Sequence, residues 1–362
     1  MEHRPRVIAT VINDVVYDQR MIRICSSLAS VYDVQLWGRK KSNAQMVDRL
    51  FTQKRFSFLI NKGPLFYLLY NVKVFFKLLF TPFDIVHSVD LDTLPAGYFA
   101  SKIKGKKLIY DSHEYYTEVP ELVSRPTKRR MWLAIEQRIL PNVKNAMTVG
   151  AKIAEEYTKK YGVSFGVVRN CPKLSKQDPV RNPKDKFALY QGALNKGRGL
   201  EVLILAMKHT SINLKLAGSG DLDDELKTLV EEHKLTEKIE FLGMLGPAEL
   251  SLLTAQAFVG INVSENLGLS YYYSLNNKFF DYINAGLPAI TNPFPEYQAL
   301  NDAYDCVCFA TAESEDIARA INLLLDDEPY YRKLRKNCLL ARQELNWEEE
   351  EKALLEIYNQ IV

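Results

Sequence analysis

Three short segments carry residue types suited to a phosphorylated ligand. The first is Asn276-Asn277-Lys278-Phe279-Phe280-Asp281-Tyr282-Ile283-Asn284-Ala285-Gly286-Leu287-Pro288. It reads as a short helix with amides at its start, one carboxylate a turn in, and a glycine–proline stop. A helix start offers unpaired backbone N–H groups and a partial positive charge, which hold phosphates. Asp281, one turn further, can accept hydrogen bonds from vicinal sugar hydroxyls. A capped surface helix is the plain alternative. The second segment is Gly192-Ala193-Leu194-Asn195-Lys196-Gly197-Arg198-Gly199. Its glycines admit close backbone approach, and Lys196 or Arg198 can neutralise a diphosphate. The third, Gly218-Ser219-Gly220-Asp221, is explained equally well by a tight turn. None contains the Gly-Lys-Ser/Thr of a Walker loop, and neither half opens with GxGxxG, which argues against a nicotinamide dehydrogenase.

Such loops need a parallel sheet to place them on one edge. Apolar runs at 7–12, 34–37, 85–87, 107–110 and 146–149 predict strands. Helical patterns lie at 19–30, 65–80, 94–102 and 128–140. Residues 169–186 hold three prolines, several charges and few apolar side chains, which reads as a linker. Alternation then restarts, with strands at 187–190, 214–216, 239–241, 258–261 and 289–291 and helices at 200–208, 223–233, 278–285 and 317–325. This βαβ rhythm predicts two α/β halves with mostly parallel sheets. The expected domains are 1–170 and 171–345, with 346–362 as a helix docking back on the first. Asn346-Trp347-Glu348-Glu349 is a capping box for that helix, and Leu354, Ile357, Tyr358 and Ile361 form its apolar face.

Composition narrows the function classes. The chain has 362 residues, 47% hydrophobic and 25% charged, as ordinary globular proteins do. A net charge of +3 argues against a dedicated nucleic-acid binder. Five cysteines without a CxxC read as reduced thiols of a cytosolic protein. Cys306 and Cys308 are expected buried on one face of a strand, not at a metal. No signal peptide is visible at the start, and Asn71, Lys73 and Lys77 interrupt the greasiest stretch, 64–83, making it a poor transmembrane span.

The chain resembles the GT-B fold retaining glycosyltransferases of family 4 (glycosyltransferase group 1), most closely over 190–295. Gly192 to Gly199 is similar to the family's donor-diphosphate loop. Arg198-Gly199 falls at its Lys-Gly position, and Ala193 stands where the family has arginine; Lys196 is the candidate substitute. Phe241-Leu242-Gly243 and Pro247-Ala248-Glu249-Leu250 are similar to the segment that passes the nucleotide base. The run from Lys278 to Pro288 resembles the family's second glutamate motif, with Asp281 replacing the glutamate that holds the ribose. Tyr273 stands at the first-glutamate position. Glu265 is the candidate for that role if 270–277 is an insertion; otherwise the chain does without that acid. The resemblance implies two Rossmann-like domains facing a central cleft, the first for the acceptor and the second for the nucleotide sugar.

In the first half, Asn13 to Arg20 lacks the family's glycines and is expected to shape the acceptor side. The polar candidates for the cleft are Asp90, His113 and Glu114, with a strand-end structural role as the alternative for His113 and helix capping for Asp90 and Asp92. The resemblance implies sugar transfer from a UDP-, GDP- or ADP-sugar to a glycan or lipid-linked hydroxyl, with retention, no permanently bound cofactor and no required metal. Gly192, Lys196, Arg198, Gly199, Gly218, Leu242, Gly243, Asn277, Lys278 and Asp281 would hold the donor. Asp90-Leu91-Asp92 has a metal-motif spelling but lies in the wrong half. Lys54 to Phe80, and Lys128-Arg129-Arg130-Met131-Trp132, combine basic and aromatic residues as a peripheral membrane surface would. The alternative is a sheet-covering helix with lysines at its edges. A sugar-nucleotide epimerase and a non-catalytic nucleotide-sugar binder also stay open.

Overall fold

The computed structural model describes residues 4–175 and 186–361. Most of the expected linker, 176–185, therefore lies outside the described residues. The chain forms two compact units, 1–169 with 351–362, and 170–350.

Among the described residues, the first unit holds seven strands: β1 (Arg6–Thr10), β2 (Asp33–Arg39), β3 (Thr52–Phe56), β4 (Ile85–Val89), β5 (Lys107–Ser112), β6 (Asn145–Thr148) and β7 (Phe165–Val167). All pair in parallel, in the order β3-β2-β1-β4-β5-β6-β7. The second unit holds β8 (Phe187–Gln191), β9 (Asn213–Ala217), β10 (Ile239–Gly243), β11 (Val259–Asn262), β12 (Ala289–Thr291) and β13 (Val307–Phe309). These also pair in parallel, in the order β10-β9-β8-β11-β12-β13.

Central strands buried on both faces need apolar residues at every position. β8 shows it: Ala188 and Tyr190 enter one core cluster, Phe187 and Leu189 another. Each such side chain contributes about 1.5–3 kcal/mol on full burial. The Gly63–Leu79 helix turns Phe66, Tyr70, Val74 and Leu78, at four-residue spacing, onto the first sheet. Its opposite face leaves Leu65, Leu68, Val72 and Phe76 exposed. Lys73 and Lys77 lie over the Phe56 ring at 5.8 and 5.4 Å, so the helix covers the sheet and carries lysines along its edge.

Some boundaries differ from the sequence reading. The helix expected from 94 begins at Asp90, although Pro95 falls inside it. The Asn71 side chain reaches across to accept from the Ala96 backbone N–H (3.0 Å), which ties this turn to the neighbouring helix. Strands β3 and β7 were not expected. The helix Trp347–Asn359 starts where expected: Asn346 Oδ1 accepts from the Glu349 N–H at 3.1 Å. Leu354 and Tyr358 are fully buried. All five cysteines are buried thiols, Cys306 and Cys308 beside and within β13.

Candidate functional site

The second unit gathers its glycine turns after β8 and β9, neighbouring strands whose carboxyl ends lie side by side. The turns are tied together: Gly192 N–H donates to Ala217 O (2.9 Å), Leu194 N–H to Ser219 O (3.2 Å) and Leu222 N–H to Leu194 O (2.9 Å). Gly218 has φ +154°, and a Cβ there would fall 1.8 Å from Gly192 O. Gly218 is thus required by loop-on-loop packing. Gly199, at φ +65°, precedes the Leu200–Ala206 helix.

The helix carrying the first sequence motif spans Asn277–Asn284. Its N-cap, Asn276, spends its side chain on two partners. Oδ1 accepts from Arg198 (3.3 Å), and Nδ2 donates to Asn262 Oδ1 (3.1 Å). Asn277 Oδ1 accepts from Asn170 (2.6 Å). Lys278 swings back toward the glycine turn. Its ammonium lies 3.5 Å from the Tyr190 ring centroid. It also lies 3.9 Å from where a Gly192 Cβ would stand. Arg198 stacks over Tyr271 at 4.9 Å. Burial, and then the charge of Arg198, hold the Lys278 ammonium well below the ordinary lysine range. Among the described residues, neither cation has a carboxylate within ion-pair distance. Lys196 is exposed in the same turn. Two facing cations without a counter-ion, beside exposed backbone at Gly192, suit a diphosphate.

Asp281, one turn into the helix, accepts from Gln191 Nε2 at 2.9 Å; Gln191 Oε1 in turn accepts from Thr254 at 2.8 Å. The buried Gln191 orients the carboxylate. Glu265 lies in the loop after β11, and its backbone N–H donates to Gly197 O at 3.0 Å, which brings this loop against the glycine turn. A Cβ at Gly197 would meet Leu267 at 2.5 Å. Residues 269–272 form a short helical turn between Glu265 and the Asn277 helix. Leu242 is half-buried at the end of β10, and Gly243 has φ +64°. The Pro247–Gln256 helix follows them.

The first unit assembles a buried charge cluster at the ends of β4 and β5. Asp111 is fully buried and receives Arg20 (Nη2 to Oδ1, 3.0 Å), His113 (Nε2 to Oδ2, 2.9 Å) and His87 (3.4 Å). Burial favours its neutral form, but Arg20, His113 and His87 outweigh it and hold Asp111 well below the usual carboxylate range. His87 Nδ1 in turn meets the Tyr358 hydroxyl at 2.7 Å. Asp90, at φ +57°, accepts from the His113 backbone N–H at 2.8 Å, so its carboxylate serves the next strand end and does not cap its own helix. Burial opposes a charge on His113, yet Asp111 and Asp90 lift it to about 9. Glu114 is exposed beside it. Burial, and then Asp90 and Glu114, push Asp92 well above the usual carboxylate range.

The sequence reading placed Asp90, His113 and Glu114 in one neighbourhood but missed Arg20, Asp111 and Gln191. Arg20 is 91 residues from its partner. Only the strand-end position of Asp111 signals its role.

Residues 19–171 match the model for Glycosyltransferase Family 4, and residues 173–339 that for Glycosyl transferases group 1. A stretch of 62 residues is 45% identical to the N-acetylgalactosamine-N,N'-diacetylbacillosaminyl-diphospho-undecaprenol 4-alpha-N-acetylgalactosaminyltransferase of Campylobacter jejuni subsp. jejuni, spanning 17% of this chain and 17% of that protein. Among solved structures, sucrose-phosphate synthase from Thermosynechococcus elongatus superposes with a TM-score of 0.82 at 18% identity, covering 99% of both chains. HepE of Anabaena, in complex with UDP and glucose, gives 0.74 at 14% identity over 99% of both. WaaG, a glycosyltransferase involved in lipopolysaccharide biosynthesis, gives 0.73 at 14% identity over 99% of both. At such identities the likeness shows the fold, which is GT-B. With its two halves matched by the two family models in succession, the chain belongs to the group 1, family 4 glycosyltransferases.

Proposed function

We propose that this enzyme transfers a sugar from a nucleotide-sugar donor, held by the second unit, to a hydroxyl of a glycan or lipid-linked acceptor held by the first, with retention at the anomeric carbon. The observation that carries this reading is the pair of cations at the glycine turn, Lys278 against Gly192 and Arg198 on Asn276, with no carboxylate within ion-pair distance among the described residues. As the glycosidic bond breaks, negative charge grows on the leaving diphosphate. Preorganised cations and backbone N–H groups stabilise that charge more than they stabilise the ground state. Arg198, Lys278 and the Asn277 helix start supply them, with Gly192, Gly199 and Lys196 around the same turn. Asp281, oriented by Gln191, binds the ribose hydroxyls, and Leu242 and Gly243 flank the base. Gly218 shapes the loop from behind.

His113, held cationic by Asp111 and Asp90, positions a sugar hydroxyl or phosphate oxygen. Asp90 and Glu114 stand beside it, and Glu265 is the candidate acid for the donor sugar. The ligands of related structures, UDP with glucose and UDP-2-fluoro glucose, favour UDP as the nucleotide. The diphospho-undecaprenol acceptor in the name of the Campylobacter relative favours a lipid-linked acceptor. No helix among the described residues is long and apolar enough to cross a membrane. The exposed apolar face of the Gly63–Leu79 helix and the exposed basic residues Lys128 and Arg130 support peripheral contact with the cytoplasmic face of a membrane, whereas Arg129 is paired with Glu118. Incubation with UDP-glucose and related donors, with and without a lipid-linked acceptor, tests the reaction. Transfer that needs the acceptor and yields the donor's anomeric configuration upholds it. A sugar changed without acceptor would mean an epimerase.

A further inference from the structure

A cation kept for an anionic ligand must be held in place without being neutralised. Left bare it is desolvated for nothing, and paired with a carboxylate its charge is already matched. The second unit has two such cations, and each has the same type of partner. The Lys278 ammonium lies 3.5 Å from the ring centroid of Tyr190. The Arg198 guanidinium lies 4.9 Å from that of Tyr271. An aromatic face is the negative part of the ring's quadrupole, so it attracts a cation while adding no formal charge.

The two rings are themselves fixed. Tyr190 is buried at the end of β8, and its hydroxyl donates to Ala193 O at 2.9 Å, inside the glycine turn. Tyr271 lies in the short helical turn Leu269–Tyr272 and is half-buried. It packs on Gly197, which has φ +83°; a Cβ there would stand 3.2 Å from Tyr271 Cε2. Glycine at 197 thus lets the ring lie close to the turn. Arg198, the next residue, rests on that ring, and its Nη1 donates to Asn276 Oδ1 at 3.3 Å. One ring face and one amide oxygen orient the guanidinium, and both are uncharged. The Arg198 charge also disfavours a charge on Lys278, so the two cations work against each other until an anion arrives.

We propose that Tyr190 and Tyr271 are positioning residues for diphosphate binding: their ring faces hold Lys278 and Arg198 at the glycine turn and leave both positive charges for the ligand. This rests on the donor reading above and adds to it two residues that act through the cations. A carboxylate in the place of either ring would orient its cation and cancel its charge.

The test begins with calorimetric titration of UDP, GDP and ADP into the full chain. The tightest binder is then titrated into variants that melt at the wild-type temperature. Tyr271→Phe keeps the ring face and should bind within about twofold of wild type. Tyr271→Leu keeps an apolar side chain without the face and should bind roughly 3- to 10-fold more weakly. Tyr271→Glu gives Arg198 a carboxylate and should bind more weakly still. Tyr190→Phe and Tyr190→Leu repeat the comparison at Lys278; should the buried Tyr190→Leu unfold, the half-buried Tyr271 series decides. Tyr271→Leu is also made in Arg198→Ala. A residue that acts through Arg198 has no further effect there, whereas one that only packs the loop or touches the ligand itself costs the same in both backgrounds. Loss confined to the chain that retains Arg198, with Phe restoring affinity, supports the proposal. Equal loss in both backgrounds, or wild-type affinity in Tyr271→Leu or Tyr271→Glu, would overturn it while a weakened Arg198→Ala leaves the donor reading intact. No nucleoside diphosphate binding by the folded wild type, or full affinity in Arg198→Ala, would sink the donor reading and this proposal with it.

Discussion

The two units treat buried and half-buried charge in opposite ways. In the first, Arg20, Asp111, His113 and Asp90 neutralise one another at the ends of β4 and β5, and every cation there faces a carboxylate. In the second, Arg198 and Lys278 stand at a glycine turn with only amides and aromatic rings as side-chain partners among the described residues. A charge already matched inside the protein holds the fold and sets a neighbour's protonation. A charge left unmatched favours an anionic ligand. The same residue types are therefore matched to one another in one sheet and left for a ligand's charge in the other.

That contrast can be broken first at Asp111. Asp111→Ala leaves Arg20 and His113 buried without their counter-ion, and we expect a loss of about 3–5 kcal/mol in unfolding free energy by denaturant titration. Stability within about 0.5 kcal/mol of wild type would show that the cluster is not the anchor described here. Next in size is Gly218→Ala. Its Cβ would meet Gly192 O, so the loops must part, at a cost of about 1–3 kcal/mol and with weaker nucleotide binding. Unchanged stability and affinity would remove the loop-packing argument.

Arg198→Ala and Lys278→Ala should behave in the reverse sense. Losing a charge-assisted contact worth about 1.5–3 kcal/mol weakens diphosphate binding roughly 10- to 100-fold, with folding stability nearly unchanged. Lys278 adds a pH signature. Its ammonium is held below the ordinary lysine range in the free protein, and an arriving diphosphate would raise it. Binding should therefore take up a proton, visible as a dependence of the calorimetric heat on the ionisation enthalpy of the buffer, and affinity should fall as pH rises. Heats that do not vary with buffer would contradict this.

A second pH signature concerns His113. A basic group raised in the folded state stabilises fully below its unfolded value and loses that stabilisation as pH climbs through its folded value. With His113 lifted from 6.5 to about 9, stability should decline across that window, and His113→Gln should flatten the decline. A profile of the same slope in both proteins would assign the pH dependence elsewhere.

How much of this could be read from the chain depends on distance along it. The Asn277–Asn284 helix was legible because its amides, its aromatic face and Gly286-Pro288 signal start, burial and stop within a dozen residues. The glycine turns were legible as turns, but the reason for Gly218 was not, since it lies in the backbone of Gly192, across two strands. β3 was missed because Gln53, Lys54 and Arg55 at a sheet edge carry no apolar run, and β7 because three residues make a weak pattern. The helix at Asp90 was expected four residues later because its first residues, Asp90, Asp92 and Thr93, are polar and lie ahead of the apolar pattern. The Arg20–Asp111 pair has no local signature at all; only the sheet brings these residues together.

The most direct measurement is calorimetric titration of UDP, GDP, ADP and NAD into the wild-type protein, Arg198→Ala, Lys278→Ala and Asp281→Ala, each checked for an unchanged fold. One nucleoside diphosphate is expected to bind the wild type, and all three variants are expected to lose most of that affinity. Tight NAD binding, no nucleotide binding by the folded wild type, or equal affinity in the variants would contradict it.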